Sequence, residues 1–265
     1  MLVLDTNWKL VNYRVVYFPT TELAQVMLGD LRLNELMRVR QTGATLEGHP
    51  DLLRQSQFKA ICIDLTEDLA TLRGKLDMTC RRWLRKGEAM REVEIRTNDP
   101  ATYGDFIDLY NRFAARNGHS GPISARSLAK YAEISDLLVV YYQGLITCGH
   151  LWLRDEVARR VRLVFSASAR LESKRDADLS GALNRHLHWQ EIEKYKHEGF
   201  ELYDMGGFEA DEDISHPLTR FKLSLGAFIL KENNYCFGRG LAKLMYRIYT
   251  GVPLLTSQLR GRLPA

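Results

Sequence analysis

The residue with the clearest chemical potential is a lysine on the apolar side of a short predicted helix. Residues 218–225 are predicted to be helical, and Leu218, Phe221 and Leu225 share one face at spacings of three and four. Lys222 follows Leu218 by four positions and therefore borders this face. A lysine there must extend to solvent, pair, or face a cavity. In a cavity its charge could hold a phosphate or the oxyanion of a tetrahedral intermediate.

A predicted strand over residues 200–205 has an acidic residue, Asp204, next to its end and is followed by two glycines. Asp204 could orient or deprotonate an amine, and it could equally cap the turn at Gly206 and Gly207. Tyr203 is a weaker candidate for donating a proton, because tyrosines in buried strands are common.

Two serines lie on the predicted strand over residues 159–169. Ser166 and Ser168 alternate onto one face. They could line a substrate cleft, or they could be small polar residues of an ordinary sheet.

Neither the histidines nor the cysteines are spaced like metal ligands. His186 and His188 lie two apart on a predicted helix, so their side chains point roughly 200° apart and do not easily bind one ion. The four cysteines are far apart and form no CxxC pair, which favours reduced thiols. They are Cys62, Cys80, Cys148 and Cys236. We expect no bound metal and no prosthetic group.

The net positive charge of the chain is small, but its basic residues are concentrated in particular segments. The 265-residue chain has a formal net charge of only +4. Between residues 73 and 91, however, seven basic residues stand against two acidic ones, and no acidic residue follows Glu232. Arg81, Arg82 and Arg85 could attract a phosphate-bearing substrate, whether a nucleotide, a tRNA or a lipid head group. They could also form a solvated helix face.

Apolar periodicity predicts a chain of the α/β or α+β class. After residue 91 the predicted order is β, α, α, β, β, β, α, β, α, β, with a central sheet built from hairpins. Before it, the pattern predicts helices over residues 20–40 and 67–90. We therefore expect a partial, helix-rich N-terminal region at residues 1–95 and a main domain at residues 96–265.

Four stretches are similar, in order and spacing, to the Fem-type (FemABX-like) peptidyltransferases of the GNAT acyltransferase superfamily. They are Arg81-Arg-Trp-Leu-Arg-Lys-Gly87, Gly181-Ala-Leu-Asn-Arg-His-Leu-His-Trp189, Phe200-Glu-Leu-Tyr-Asp-Met-Gly-Gly207 and Arg220-Phe-Lys-Leu-Ser-Leu-Gly226. The resemblance implies a GNAT-like fold, with a central mixed sheet flanked by helices and a partial GNAT-like region before it. It also implies acyl transfer to an amine, with aminoacyl-tRNA or acyl-CoA as the co-substrate.

The resemblance also implies roles for individual residues. The family's Phe-Lys pair falls on Phe221 and Lys222, so that Phe221 would shape the channel and Lys222 would stabilise negative charge. Asn184 and Asp204 would position groups nearby. GNAT folds splay two neighbouring parallel strands to expose backbone donors to the acyl carbonyl, and here these would be the strands that carry Ser166 and Asp204.

One departure concerns the donor. GNAT acetyltransferases bind the CoA pyrophosphate on a Gln/Arg-x-x-Gly-x-Gly/Ala loop at a helix N-terminus. Gly181 occupies the expected place, but Asp178 stands three residues before it, where a carboxylate would repel the pyrophosphate. Lys174 and Arg175 could compensate. The departure weakens acetyl-CoA as the donor without excluding it.

The expected protein is an N-acyltransferase that moves an acyl or aminoacyl group directly to the amine of a small-molecule, peptide or sugar-linked acceptor. Expected partners are tRNA as donor and a small-molecule or cell-envelope precursor as acceptor. The alternatives are a strictly acyl-CoA-dependent GNAT acetyltransferase and a noncatalytic phosphate- or RNA-binding module. The N-terminus lacks a signal-peptide pattern, which predicts a cytoplasmic protein. The last predicted helix, residues 240–249, could pack on the domain or touch a membrane surface.

Overall fold

Strands and helices alternate along most of the chain. The computed structural model describes residues 1–8, 11–117, 121–171, 174–207 and 215–251. The described residues divide into two units: those of residues 1–59 join residues 230–251 in the first, and those of residues 60–229 form the second.

The first unit contains a mixed sheet and two helices. β1 pairs with β2 in antiparallel fashion, β2 with β3 in parallel, and β3 with β10 in antiparallel fashion. A helix, α1, connects the parallel pair, as a parallel pair requires. The elements are β1 (Leu2–Trp8), β2 (Val11–Tyr17), α1 (Thr21–Gly29), β3 (Glu35–Thr42), the start of β4 (Leu52–Asp64), most of β10 (Phe228–Gly238) and α8 (Leu241–Gly251).

The predicted helix over residues 20–40 is correct in its first half and wrong in its second. Thr20 caps α1 with its side chain, and the helix ends at Gly29. Asn34 has a positive φ of 64° and precedes β3. Leu36 continues the near-helical spacing of Leu23, Met27 and Leu31, so the apolar pattern did not show where the helix ends and β3 begins.

The second unit is built around a sheet with the order β4, β9, β8, β7, β6, β5. Only β8 and β9 are parallel; the other neighbouring strands are antiparallel. The elements are the end of β4, α2 (Leu69–Lys75), α3 (Met78–Glu88), β5 (Val93–Thr97), α4 (Thr102–Asn117), α5 (Ala125–Ala129), β6 (Ser135–Tyr142), β7 (Leu145–Asp155), β8 (Arg160–Ser168), α6 (Lys174–His197), β9 (Leu202–Gly207) and α7 (Pro217–Ser224).

The predicted helix over residues 67–90 is two helices. Leu76 has an extended backbone between α2 and α3, and the Asp77 side chain caps the start of α3 by accepting from Cys80 N. The apolar positions keep their spacing across the break, because Leu72, Leu76 and Cys80 all reach the core. Periodicity alone therefore did not reveal the interruption.

Close packing holds α3 against α6 in the second unit. A Cβ atom on Gly87 of α3 would lie 2.7 Å from the carbonyl oxygen of Ala182 on α6, so only glycine fits there. A Cβ on Gly149 of β7 would likewise lie 2.9 Å from the Phe106 ring of α4. The positions of α3, α4 and α6 relative to the sheet are thus fixed by specific contacts.

The α/β class with a mixed sheet flanked by helices is confirmed. The N-terminal residues are richer in strands than expected, because β1 to β4 precede α2. The expected boundary between residues 95 and 96 falls inside the second unit. It stays a prediction, because the compactness of a unit does not show whether residues 1–95 and 96–265 are two GNAT-like segments. Among the described residues, no helix is both long enough and apolar enough to cross a bilayer.

Candidate active site

The two parallel strands of the second unit separate after a short paired stretch. Residues 160–162 of β8 pair with residues 202–204 of β9. β8 continues to Ser168 and β9 to Gly207 without pairing to each other. The strands therefore splay apart, as the family resemblance implied.

Lys222 lies at the end of β9. It is buried on α7, with 7% of its surface exposed, and its Nζ donates a hydrogen bond to the Gly207 carbonyl oxygen at 2.8 Å. α7 begins at Pro217, preceded by His216, whose ring accepts from Leu218 N. Lys222, which was predicted to lie beside an apolar face, is thus a buried cation at the open end of the splayed strands.

Phe221 is half-buried beside Lys222 and sits between two side chains of α6. Its ring centroid lies 5.5 Å from that of His188, and the guanidinium of Arg185 lies over the ring at 4.9 Å. Arg185 also donates to the Gly181 carbonyl oxygen at 2.8 Å. Phe221 therefore joins α7 to α6 at the site.

Asp204 is held in a buried ion pair. Its Oδ2 accepts from Arg160 Nη2 at 2.6 Å, and its Oδ1 accepts from Gly206 N at 2.7 Å. Burial acts to raise the pKa of the Asp204 carboxyl, but the charges of Arg160 and Arg162 and these hydrogen bonds outweigh it and hold the pKa below its ordinary value. Asp204 thus caps the turn, the second of the two roles expected for it, and a lowered pKa makes it a weak base.

Tyr203 and Asp204 face opposite sides of β9, since successive strand residues alternate. Tyr203 is fully buried and its hydroxyl lies 2.7 Å from Glu191 and 2.6 Å from His188 Nδ1, both on α6. Burial, followed by the Glu191 charge, raises the pKa of the Tyr203 hydroxyl well above its ordinary value. Tyr203 therefore lies on the side of the sheet that faces α6. His188, on which the Lys222 charge acts, lies on the same side.

A fully buried carboxylate, Glu191, lies at the centre of this side. Its Oε1 accepts from Trp152 Nε1 at 2.9 Å, and its two oxygens lie 2.8 and 3.0 Å from His150 Nδ1. Tyr203 supplies a further hydrogen bond. A buried charge requires this degree of satisfaction. We call His150, Trp152, Asn184, His188, Glu191 and Tyr203 the buried polar network.

Asn184 is the half-exposed end of the buried polar network. Its Oδ1 lies 2.9 Å from Nε2 of His150. Ser166 is the register partner of His150 on β8, and Ser168 is the partner of Cys148. Opposite residues of an antiparallel pair share a face, so both serines lie on the α6 side, and both are half-buried.

His188 is neutral within the network. Burial, followed by the charges of His150, Arg185 and Lys222, holds the pKa of His188 well below its ordinary value. Its partner His186 on the same helix is half-buried and faces α3, where its Cβ lies close to Gly87. The two histidines therefore point apart, as their spacing predicts.

Three residues of the network have the types that bind metals. Ligand atoms of His150, His188 and Glu191 all lie within 4.8 Å of one another. The contacts of 2.8 Å from His150 to Glu191 and of 2.6 Å from His188 to Tyr203 are hydrogen-bond lengths. Ligands around a tetrahedral zinc ion stand roughly 3.3 Å apart, given metal–ligand bonds of about 2.0 Å. The arrangement fits a hydrogen-bonded network, and the expectation of no metal stays a prediction.

The three predicted substrate-binding arginines lie on α3. Arg82 and Arg85 are exposed and Arg81 is half-buried. Among the described residues none of the three forms an ion pair, whereas their neighbour Arg73 pairs with Glu88 at 2.7 Å. Their charges are available to a ligand.

Gly181 does not open α6. The helix begins at Lys174, so Gly181 lies in its third turn. Residues 172 and 173 lie outside the described part of the chain. The expected pyrophosphate loop directly before Gly181 is therefore wrong, because residues 178–180 are helical and their N–H groups lie beyond the first four of the helix, which alone have no partner within it.

His150, Glu191, Trp152 and Arg185 were missed by the sequence analysis. A signal was present on α6, where polar and aromatic residues follow one helical stripe at spacings of four, three and four: Asn184, His188, Glu191 and Tyr195. A polar stripe on a helix whose neighbours are apolar indicates a buried polar network rather than a solvated face.

No family model matches the sequence, and no curated protein matches it either. Solved structures do. FemX resembles 93% of this chain over 85% of its own length, with a TM-score of 0.64 and 11% identity. The chain has the fold of FemX.

Two further structures share this fold. The C-terminal domain (DUF2156) of a protein named as a lysylphosphatidylglycerol synthetase of Agrobacterium fabrum resembles 94% of the chain over 84% of its own, with a TM-score of 0.59 and 13% identity. L-PGS of Bacillus licheniformis resembles 95% over 86%, with a TM-score of 0.55 and 9% identity. The GNAT-like fold predicted from the four sequence stretches is thereby confirmed.

Proposed function

We propose that the protein transfers an activated acyl or aminoacyl group to an amine. The observation that carries this proposal is the position of Lys222, a buried cation at the open end of two splayed parallel strands. A cation held there without solvent around it stabilises negative charge that develops on a substrate oxygen. The shared fold with FemX and with L-PGS supports the same reaction class.

In the reaction proposed, the acceptor amine attacks the carbonyl carbon of the donor ester or thioester. A new C–N bond forms, and the carbonyl electrons move to oxygen, where Lys222 and backbone N–H groups of β8 would stabilise them. Collapse of this intermediate breaks the C–O or C–S bond and releases the hydroxyl or thiol of the donor. The amine loses one proton, which the leaving group takes up.

The cysteines support direct transfer without an enzyme-bound thioester. All four are buried, and burial raises the pKa of the Cys80, Cys148 and Cys236 thiols. A thiol must ionise to act as a nucleophile. Direct transfer between the two substrates therefore fits this site better than an intermediate bound to a cysteine.

The donor proposed is a phosphate-bearing molecule, with aminoacyl-tRNA favoured over acyl-CoA. Arg82 and Arg85 are exposed and Arg81 is half-buried, and their charges could meet a polyanion. Gly181 lies inside α6 rather than at its start, which weakens the case for a CoA pyrophosphate loop at that position. A strictly acyl-CoA-dependent acetyltransferase and a noncatalytic phosphate- or RNA-binding module are the rival functions.

The test supplies the purified protein with labelled aminoacyl-tRNAs or acyl-CoA esters together with amine acceptors, and follows products by mass spectrometry. Lys222→Met should lower turnover by about 10²–10³-fold, the typical loss for one transition-state donor, while the melting temperature stays near that of the wild type. Lys130→Met, an exposed lysine next to α5, is the matched control and should react normally.

The outcomes separate the three functions. Stabilisation by CoA in a thermal-shift assay, with transfer only from acyl-CoA, would favour the acetyltransferase. Binding of tRNA without transfer from any donor would favour the binding module. Normal turnover by Lys222→Met would remove the role assigned to this residue.

A further inference from the structure

One face of the sheet in the first unit carries three arginines that form no ion pair among the described residues. Arg38 and Arg40 lie two residues apart on β3, so they share a face, and both are half-buried. The alternate residues Met37 and Val39 pack in the core on the other face, with α1. Arg54 lies on β4 and is exposed. We call Arg38, Arg40 and Arg54 the arginine cluster.

Other arginines of the same unit do have carboxylate partners. Arg14 contacts Asp5 at 2.7 Å and Glu35 at 3.3 Å, and Arg239 contacts Asp51 at 2.5 Å. Several acidic residues of the unit are therefore used elsewhere, and the described residues leave the charge of the arginine cluster unpaired. Like charges repel, and salt screens them less when they are partly buried. An anion bound among them would relieve this repulsion.

Two of the arginines approach each other across β10, which lies between β3 and β4 in the sheet. Cys236 of β10 is the register partner of Arg38. Two residues further on, Gly238 N donates to the Asp51 carbonyl oxygen at 3.0 Å, next to the start of β4. Burial raises the pKa of the Cys236 thiol, and the charges of both Arg38 and Arg54 act against it. Backbones two strands apart are separated by roughly 10 Å, so both long side chains can reach one ligand.

Two tyrosines border the arginine cluster. The guanidinium of Arg38 lies over the Tyr13 ring, 5.7 Å from its centroid, an arrangement that favours the cation. Tyr246 of α8 is buried, and its hydroxyl lies beside Arg54 and the Cys236 thiol. Burial, ahead of every other cause, raises the pKa of the Tyr246 hydroxyl. A tyrosine that keeps its proton is a neutral donor to an anion.

We propose that the arginine cluster of the first unit binds a phosphate group. Arginine forks hydrogen-bond phosphate oxygens in pairs, and a phosphate has more oxygens than a carboxylate to share among several forks. A free diphosphate and a phospholipid head group both offer this chemistry. The inference goes beyond the proposed function and does not depend on it, because no step of acyl transfer is assigned to these residues.

Isothermal titration calorimetry with inorganic pyrophosphate tests the proposal. The parent chain for this titration carries glutamine at Arg81, Arg82 and Arg85, so that α3 does not compete for the anion. We expect the parent chain to bind pyrophosphate. Adding Arg54→Gln should weaken binding at least about tenfold, the loss expected for one charge-assisted hydrogen bond. Adding Arg38→Gln as well should remove it.

Two controls separate the arginine cluster from net charge and from stability. Arg32→Gln with Lys231→Gln removes two exposed charges from the same unit and should leave the affinity of the parent chain unchanged. Arg54 is exposed, so Arg54→Gln should keep the parent melting temperature. Its weaker binding then reports the ligand even if Arg38→Gln, beside the Tyr13 ring, lowers the stability of the fold.

Vesicles of phosphatidylglycerol distinguish the two sources of the phosphate. If the ligand is a lipid head group, the parent and the charge control should bind these vesicles at least about tenfold more tightly than the variant with Arg38→Gln and Arg54→Gln. If the ligand is a free phosphate compound, that variant should lose pyrophosphate and keep the vesicle binding of the parent.

The inference is overturned if the parent chain binds neither pyrophosphate nor the vesicles. It is also overturned if the cluster variant and the charge control bind both probes equally, because net charge would then account for the binding. None of these measurements uses acyl transfer. A chain that transfers no acyl group but binds pyrophosphate through Arg38 and Arg54 would contradict the proposed function and leave this inference intact.

Discussion

Arg160 Nη2 lies 2.6 Å from Asp204 Oδ2, and both side chains are almost completely buried. The pair joins the first residue of β8 to the third residue of β9, within the stretch where the two strands are still in register. Gly206 N adds a hydrogen bond to the other carboxylate oxygen. The ion pair thus holds the paired ends of the two strands together just before they splay.

Breaking this pair should cost considerably more stability than breaking an exposed one. Asp204→Asn removes the negative charge from this buried pair, and we expect the free energy of unfolding to fall by about 3–5 kcal/mol. Urea denaturation measures it. Arg159 and Glu201 form a neighbouring ion pair at 2.7 Å that is about half exposed, and Glu201→Gln should cost less than about 1 kcal/mol. If the two variants lost the same free energy of unfolding, the buried pair would stabilise the fold no more than the exposed pair does.

The three arginines of α3 that were predicted to bind substrate should govern affinity rather than chemistry. Changing Arg81, Arg82 and Arg85 to glutamine should raise KM for a phosphate-bearing donor and weaken its salt dependence, because fewer phosphates are neutralised on binding. The turnover number at saturation should change little. Initial rates at several salt concentrations measure both effects.

A control for this experiment lies on α5 and just after it. Arg126 and Lys130 are exposed and basic, and changing both to glutamine removes charge away from α3. If this double variant raised KM as much as the triple variant, the effect would come from the net charge of the protein, and the arginines of α3 would have no special role.

The sequence predicted those site residues whose pattern lies within a few neighbouring positions of the chain. Lys222 and Phe221 were identified because helical spacing places them beside an apolar face, and the strand end at Asp204 was identified because two glycines follow it. His150 was missed because a single histidine in an apolar strand is typical of core packing. Its partner Glu191 lies 41 residues away in the chain, and no local pattern connects them.

The helices and strands were likewise predicted correctly where the sequence carries a local signal. Helices with a clear cap and strands with a tight turn were correct, and the hairpin between β6 and β7 turns at Gln143 and Gly144 with positive φ at both. β3, which was predicted as the second half of a helix, pairs with β2 and with β10, which lies almost 200 residues later. Leu36 falls near the helical spacing of the residues before it, and no local pattern connects the strand to β10.

Protonation of His188 should make stability depend on pH. The pKa of His188 in the folded protein is well below its ordinary value, chiefly because of burial. The unfolded chain therefore binds a proton, near the ordinary pKa of about 6.5, that the folded chain does not. Stability is complete above that pH and falls as the pH decreases, by up to about 1.4 kcal/mol per pH unit.

Urea denaturation between pH 7.5 and 5.5 tests this expectation. His188→Gln should show a smaller loss of stability over that range than the wild type, whatever its stability at pH 7.5. Gln190→Ala, an exposed position on the same helix, should keep the wild-type pH dependence. An unchanged slope in His188→Gln would mean that His188 is not the group that takes up the proton.

The exposed face of α8 should bind an anionic membrane surface. Leu241, Leu244 and Ile248 follow one helical stripe and are 38%, 55% and 57% exposed, while Ala242 and Tyr246 on the other side are buried. Arg247 is exposed next to them, and no acidic residue follows Glu232 in the sequence. Apolar side chains with cations around them suit the interface of an anionic bilayer.

Sedimentation with vesicles measures this binding. We expect the wild type to bind vesicles of phosphatidylglycerol and phosphatidylcholine, to bind pure phosphatidylcholine much more weakly, and to lose binding at high salt. Leu244→Asp with Ile248→Asp should abolish binding. Val157→Asp, at a turn position that is 78% exposed, should bind normally. If the wild type instead forms a dimer that the α8 variant dissociates, the face joins two copies of the chain and the membrane role is wrong.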